Sequence, residues 1–241
     1  TTTIGGAGTY NVTGTSNITN GTVNMNIASG AGDWTQSAGV LSGSGTVTVP
    51  SGKSYSWSGG AMSGSGQTVI AAGATLTISA GVSPLRQITV NGTGSWTGGR
   101  IDFNTGGVIT NNGTFTTTAD NGMENFSGTS SFNNAGTFTK NTATGSSYAN
   151  VAFNNTGTVT ISTGTMNLNG GGTSTGSFAA SAGATLNFGG GTQAVTLAAG
   201  KSFSGTGTIG FTGGTTTIGG AGTYNVTGTS NVTNGTVNLN I

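Results

Sequence analysis

A short unit recurs along the chain: a small or polar pair, a glycine, then a few alternating residues. It reads PSGKSY at Pro50–Tyr55, AAGATL at Ala71–Leu76, NNGTFT at Asn111–Thr116, NAGTFT at Asn134–Thr139, NTGTVT at Asn155–Thr160, SAGATL at Ser181–Leu186 and AAGKSF at Ala198–Phe203. A companion unit reads SGSGTV at Ser42–Val47, SGSGQT at Ser63–Thr68 and SGTGTI at Ser204–Ile209. The glycines at 52, 73, 113, 136, 157, 183 and 200, joined by weaker matches at Gly14, Gly30, Gly92 and Gly214, set a period of roughly 20 residues. A piece that short cannot bury an apolar face alone, so such pieces must stack and share one.

The residues between the glycines say what stacks. Thr75-Leu-Thr-Ile78, Thr158-Val-Thr-Ile161 and Thr185-Leu-Asn-Phe188 alternate apolar and polar with period two. That pattern places the apolar side chains of a strand on one face. The 49 glycines, with abundant Thr, Ser and Asn, argue against helix, since all are poor in helix interiors. Glycine, Asn and Ser between strands are expected to turn corners with positive φ. The fold class expected is therefore all-β, a parallel β-helix (β-solenoid) with turns about 4.8 Å apart, right-handed by the usual crossover rule. Wrapping the glycine spacings gives about eleven coils of ~20 residues per 214 residues. Two or three residues after the glycine stand Tyr55, Leu76, Phe115, Phe138, Val159, Leu186 and Phe203, expected to form an inward core ladder. Asn111, Asn134 and Asn155 stand two before it. They are either a coil-to-coil Asn ladder or ordinary left-handed turn residues.

A second repeat is much longer. Thr1–Ile27 and Thr215–Ile241 differ only at Ile18/Val232 and Met25/Leu239. The domain organisation expected is one full solenoid unit at 1–214 and the start of a near-identical next unit at 215–241. A sequence that restarts itself is most simply a window on a tandem array, which points to a fibre in which further copies follow end to end.

SGSGTVTV at 42–49, GATLTISAG at 73–81, NNAGTFT at 133–139 and TGTMNLNGG at 163–171 resemble the repeats of large secreted bacterial β-helix proteins. Filamentous-haemagglutinin-like adhesins, autotransporter passenger domains and giant surface fibre proteins are of this kind. The resemblance implies a right-handed parallel β-helix, export to the cell surface, and adhesion or fibre formation, with no catalytic residues to carry over.

Chemistry has little to work with. There is no Cys and no His, and the charged residues are 5 basic and 4 acidic, for a net charge of +1. That excludes thiol and Ser-His-Asp catalysis, gives no field for nucleic acid, and provides no basic run for a membrane. No cofactor or metal is expected. Arg100, Asp102, Asp120 and Glu124 are the best candidates for a carbohydrate-active site, against the alternative of a solvated surface ion pair. Trp34, Trp57 and Trp96 either stack on sugars as a glycan-contact strip or plug the core. Thr-x-Thr pairs at Thr46/Thr48, Thr75/Thr77, Thr114/Thr116, Thr137/Thr139 and Thr158/Thr160 offer a hydroxyl array for glycan or ice, which coil lengths of 14 to 26 residues would interrupt. The partners expected are further copies of the chain, with lateral bundling and glycans left open. The leading expectation is a structural, non-enzymatic extracellular module.

Overall fold

A computed structural model describes residues 1–241. It contains 35 short strands and no helix, wound as a parallel β-solenoid of about eleven turns. The chain forms two compact units, residues 1–115 with 124–131, and 116–123 with 132–241. In the first unit the strands fall in rotation on three parallel ladders. Ladder a holds Thr2–Ile4, Thr22–Met25, Val40–Ser42, Ala61–Met62 and Ser83–Pro84. Ladder b holds Thr9–Tyr10, Ala28–Ser29, Val47–Val49, Gln67–Ile70, Gln87–Val90 and Val108–Asn111. Ladder c holds Thr15–Ile18, Asp33–Gln36, Ser54–Trp57, Thr75–Ile78 and Thr93–Trp96. The second unit repeats the scheme. Ladder d has Ser146–Ala149, Thr165–Leu168, Thr185–Phe188, Thr208–Phe211 and Thr229–Val232; ladder e has Ala152–Asn155, Gly172–Ser174, Thr192–Leu197, Thr215–Gly220 and Thr236–Asn240. Ladder f has Thr137–Lys140, Thr158–Ile161, Ser177–Ala180, Ser202–Gly205 and Thr223–Val226.

Alternation sets the core. In Thr75–Ile78, Leu76 and Ile78 are buried while Thr75 and Thr77 face outward, and Thr158–Ile161 and Thr185–Phe188 repeat that order. Parallel register then stacks like on like: Leu76 lies opposite Tyr55 and Gly94, and Ile78 opposite Trp57 and Trp96. Gly94 is a hole in that column, filled by the Phe115 ring; a Cβ at Gly94 would come 2.3 Å from its Cδ2. In the second unit the column runs Phe138, Val159, Phe178, Phe203, Tyr224. Phe132, Phe138 and Phe153 form one ring cluster with centroids 5.2–5.6 Å apart. Phe178, Phe188, Phe203 and Phe211 form another, at 5.1–5.7 Å.

The glycine motif of the sequence is two different corners. At Ser181–Ala184 the Ala184 N–H donates to Ser181 O at 2.9 Å and Gly183 has φ +77, as a type II turn requires at its third residue. Pro50–Lys53, Ala71–Ala74 and Ala198–Lys201 close in the same way. Gly157 has no positive φ. It is glycine because the turns approach closely: a Cβ there would lie 1.9 Å from Gly136 O. The type II corner adds one residue before its strand, which is why the inward side chain falls three residues after the glycine there and two after it at Gly157.

One residue of the expected core column is relocated, because the same type of corner occurs on two different ladders. Gly183 feeds Thr185–Phe188 on ladder d, whereas Gly200 feeds Ser202–Gly205 on ladder f. Leu186 is buried, but between Met166 and Ile209, not in the column of Phe203. The interval between the two long copies is also not a whole number of turns. Thr2–Ile4 is the first strand and Thr215–Gly220 the thirty-second, so the interval holds 31 strands, one more than ten turns of three.

Candidate functional site

The charged side chains are mostly engaged with one another or with backbone. In the first unit Lys53 Nζ lies 3.4 Å from Asp33, whose carboxylate also accepts the Ser54 N–H at 2.7 Å and the Ser54 hydroxyl at 3.0 Å. The Ser54 backbone and side-chain bonds, then Lys53, hold Asp33 below its ordinary pKa. Arg100 grips Asp102 through Nε–Oδ1 and through Nη2–Oδ2 at 3.2 Å, and its guanidinium carbon stands 5.1 Å from the centroid of the exposed Phe126 ring. In the second unit the fully buried Lys140 donates to Asp120 at 2.7 Å, and the Gly145 N–H donates to the same carboxylate at 2.9 Å. The Lys140 bond is the larger cause of a lowered Asp120 pKa; partial burial opposes it.

Of the four acid–base candidates, Arg100 and Asp102 are therefore brought together, while Asp120 is bonded to Lys140, a residue the sequence did not single out. Glu124 lies half-buried on the strand Gly122–Asn125. Asp33 and Asp120 are both pushed toward the ionised form, the opposite of what a general acid requires near neutral pH. Arg86 is a second cation that sequence reasoning missed. It is buried, donating to Ser63 O at 3.3 Å and Gly45 O at 3.1 Å, with its pKa lowered to about 10 by burial. It thus fastens the two SGSG corners beneath it. Only the recurrence of SGSG hinted at a special corner there.

Trp34, Trp57 and Trp96 are all buried, so their ring faces are not offered to a sugar. Trp34 stacks on Tyr55 at 6.2 Å, and Trp57 sits between Gln36 and Ile78 in the neighbouring inward column, with Trp96 on the far side of Ile78. Trp96 Nε1 donates to Gly99 O at 2.8 Å. Tyr55 donates to Gln36 Oε1 at 2.7 Å, and Gln36 Nε2 donates to Ala61 O at 2.9 Å. Burial pushes the Tyr55 hydroxyl pKa up, so it remains a donor.

Asn111, Asn134 and Asn155 are buried with no positive φ. Within the second unit Asn134 Nδ2 donates to Asn155 Oδ1 at 2.8 Å and to Thr158 O at 3.0 Å, and Asn155 Nδ2 donates to Ser177 O at 3.1 Å. These are rungs between turns, with each amide also tying the first carbonyl of a strand on ladder f. Half-buried Asn rungs accompany them, Asn154 to Asn133 at 2.8 Å and Asn187 to Asn167 at 2.9 Å, and an exposed one joins Asn169 to Asn150 at 2.9 Å.

The outward surface is polar and regular. On ladder c, Ser54, Thr75 and Thr93 lie in register, as do Thr35, Ser56, Thr77 and Ser95 beside them. The Thr pairs of the sequence are spread over ladders: Thr48 belongs to ladder b, Thr75/Thr77 to c, and Thr137/Thr139 lies directly opposite Thr158/Thr160 on f. Coil-length variation does not break these columns, because the corners absorb it. A cleft of about 370 Å³ is lined by Gly222, Thr223, Tyr224, Asn225, Leu239 and Ile241, with no acid or base among them but the Tyr224 phenol. No helix is long and apolar enough to cross a membrane. No group of three or more His, Cys, Asp or Glu side chains converges on a metal position. No protein-family model, no curated protein and no solved structure matches this chain.

Proposed function

We propose that this chain is a structural module of a tandemly repeated extracellular fibre or adhesin stalk of a bacterium, without catalysis, whose partners are further copies of the same unit. One observation carries the reading. The duplicated 27-residue segment folds the same way in both places. Thr2, Thr3 and Ile4 pair with Val23, Asn24 and Met25; Thr216, Thr217 and Ile218 pair with Val237, Asn238 and Leu239. Tyr10 bonds Ser16 at 3.2 Å, and Tyr224 bonds Ser230 at 2.6 Å. The same segment thus folds alike with turns stacked after it and with turns stacked before it, which is what a repeat in a tandem solenoid must do. The mutual pairing of Lys53, Arg100 and Lys140 with Asp33, Asp102 and Asp120 supports the non-catalytic part, because it leaves little charge for a substrate. Electron microscopy of the native assembly tests the proposal. The expected result is a thin fibre with a ~4.8 Å axial strand spacing; a discrete particle with closed ends would contradict it.

A second reading is favoured by the in-register hydroxyl columns of ladder c: a surface for glycans or ice. Thermal hysteresis, or binding on a glycan array that is lost with Thr75→Val/Thr77→Val, would establish it; neither signal would remove it.

A further inference from the structure

We infer that, in a chain that repeats this unit, each copy enters the three-strand cycle one strand later than the copy before it, so that a given residue returns to the same ladder position only in every third copy. The inference rests on the tandem reading proposed above.

Its basis is the strand count. Successive strands occupy the three ladders of each unit in strict rotation, and 31 strands separate corresponding points of the two copies. The corners report the same shift. Gly14 stands before Thr15–Ile18, the third strand; ten whole turns later comes Thr223–Val226, the thirty-third, preceded by Gly222. The copy of Gly14, however, is Gly228, which stands before Thr229–Val232, the thirty-fourth strand. Because the duplicated segment carries its own contacts, it tolerates the change of position. Tyr–Ser and Asn–Thr bonds form inside it in both copies, with Asn11 to Thr9 at 2.8 Å and Asn225 to Thr223 at 3.2 Å.

The consequence is for recognition. A surface feature of the unit, such as the Ser56–Thr77 hydroxyl column, does not line up from copy to copy. It is presented in rotation on three sides of the rod. Such a rod meets lateral neighbours of its own kind from three directions and forms bundles, not flat ribbons, and it offers no hydroxyl face longer than about one copy.

The chain contains no cysteine, so a single introduced thiol is a unique label. Ser56, exposed on ladder c, is replaced by Cys in every copy of the full-length repeat protein, labelled with gold and imaged by electron tomography. The expected result is labels about 50 Å apart along the rod, stepping around three sides, with the same side recurring every ~150 Å. Labels at ~50 Å all on one side would overturn the phase inference while leaving the tandem reading intact. Copies seen as separate particles without a common axis would overturn the tandem reading, and this inference with it.

Discussion

Lys140 keeps its ammonium among core residues, and what makes that tolerable is one carboxylate, Asp120, aided by the Gly145 N–H that fixes it. Removing the anion strands a buried cation, whereas removing the cation leaves a carboxylate that water reaches. Asp120→Asn is therefore expected to cost about 2 kcal/mol, towards the low side for a buried pair because Asp120 is partly solvated, and Lys140→Met to be nearly neutral. Urea denaturation of the two variants checks the asymmetry. The pH dependence follows from the lowered Asp120 pKa: its contribution is present above the unfolded value of about 4 and is lost as pH falls through the folded value. The gap between wild type and Asp120→Asn should accordingly close on acidification below about pH 4. The two glycine corners make a second contrast. Gly183→Ala should cost about 1–2 kcal/mol, the strain of a left-handed residue. Gly157→Ala should cost more, since a methyl 1.9 Å from Gly136 O forces two turns apart, and thermal melts of both variants rank them. The shared glycine was visible in the sequence, but its two causes were not. A positive φ and a missing Cβ leave the same letter, and only the offset to the next inward residue separates them.

Strands here are held by their neighbours in the same ladder more than by anything within a turn. The buried Asn134–Asn155 rung is one such tie; with Asn155→Ala the Asn134 amide loses an acceptor and the Ser177 carbonyl a donor. A loss of about 1–3 kcal/mol is expected. Asn169→Ala, in an exposed rung to Asn150, should lose no more than a few tenths. Equal losses in chemical denaturation would show that burial does not set the strength of the rungs. Phe178→Ala, which empties the ring cluster with Phe188 and Phe203, should cost about 3–5 kcal/mol. The alternation that puts Leu76, Phe138 and Val159 inside was readable from Thr-x-Thr patterns alone. Which strands share a ladder was less readable. Leu186 follows its glycine at the same offset as Phe203, yet turns a different corner, because all three corners of a turn use the same small residues. Arg86, at the bend before Gln87–Val90, and Lys140, at the end of Thr137–Lys140, escaped notice for another reason: a lone cation beside alternating residues looks solvent-facing until the parity of its neighbours is fixed by pairing.

The chain as a whole reads as a counting device, in which each strand lies against the one three positions earlier and the corners take up variation in length. Its long repeat was plain from Thr1–Ile27 and Thr215–Ile241, and the solenoid from the glycine period; the extra strand in the 214-residue interval emerged only once strands could be counted. The polar exterior and the paired charges are compatible with the scaffold role proposed above. Everything in this account depends on parallel strands stacking in the stated register, and cysteine pairs test that directly in a protein that has none of its own. Ser56→Cys/Thr77→Cys on ladder c and Thr139→Cys/Thr160→Cys on ladder f join residues directly opposite one another, with Cα atoms about 4.8 Å apart and within disulfide reach. Thr139→Cys/Thr158→Cys is displaced by two residues, about 8 Å, and beyond it. Mild oxidation followed by mass mapping should yield intramolecular disulfides in the first two pairs and not in the third. Crosslinking of the displaced pair in preference to the direct ones would contradict the solenoid register, and with it the repeat architecture proposed for this chain.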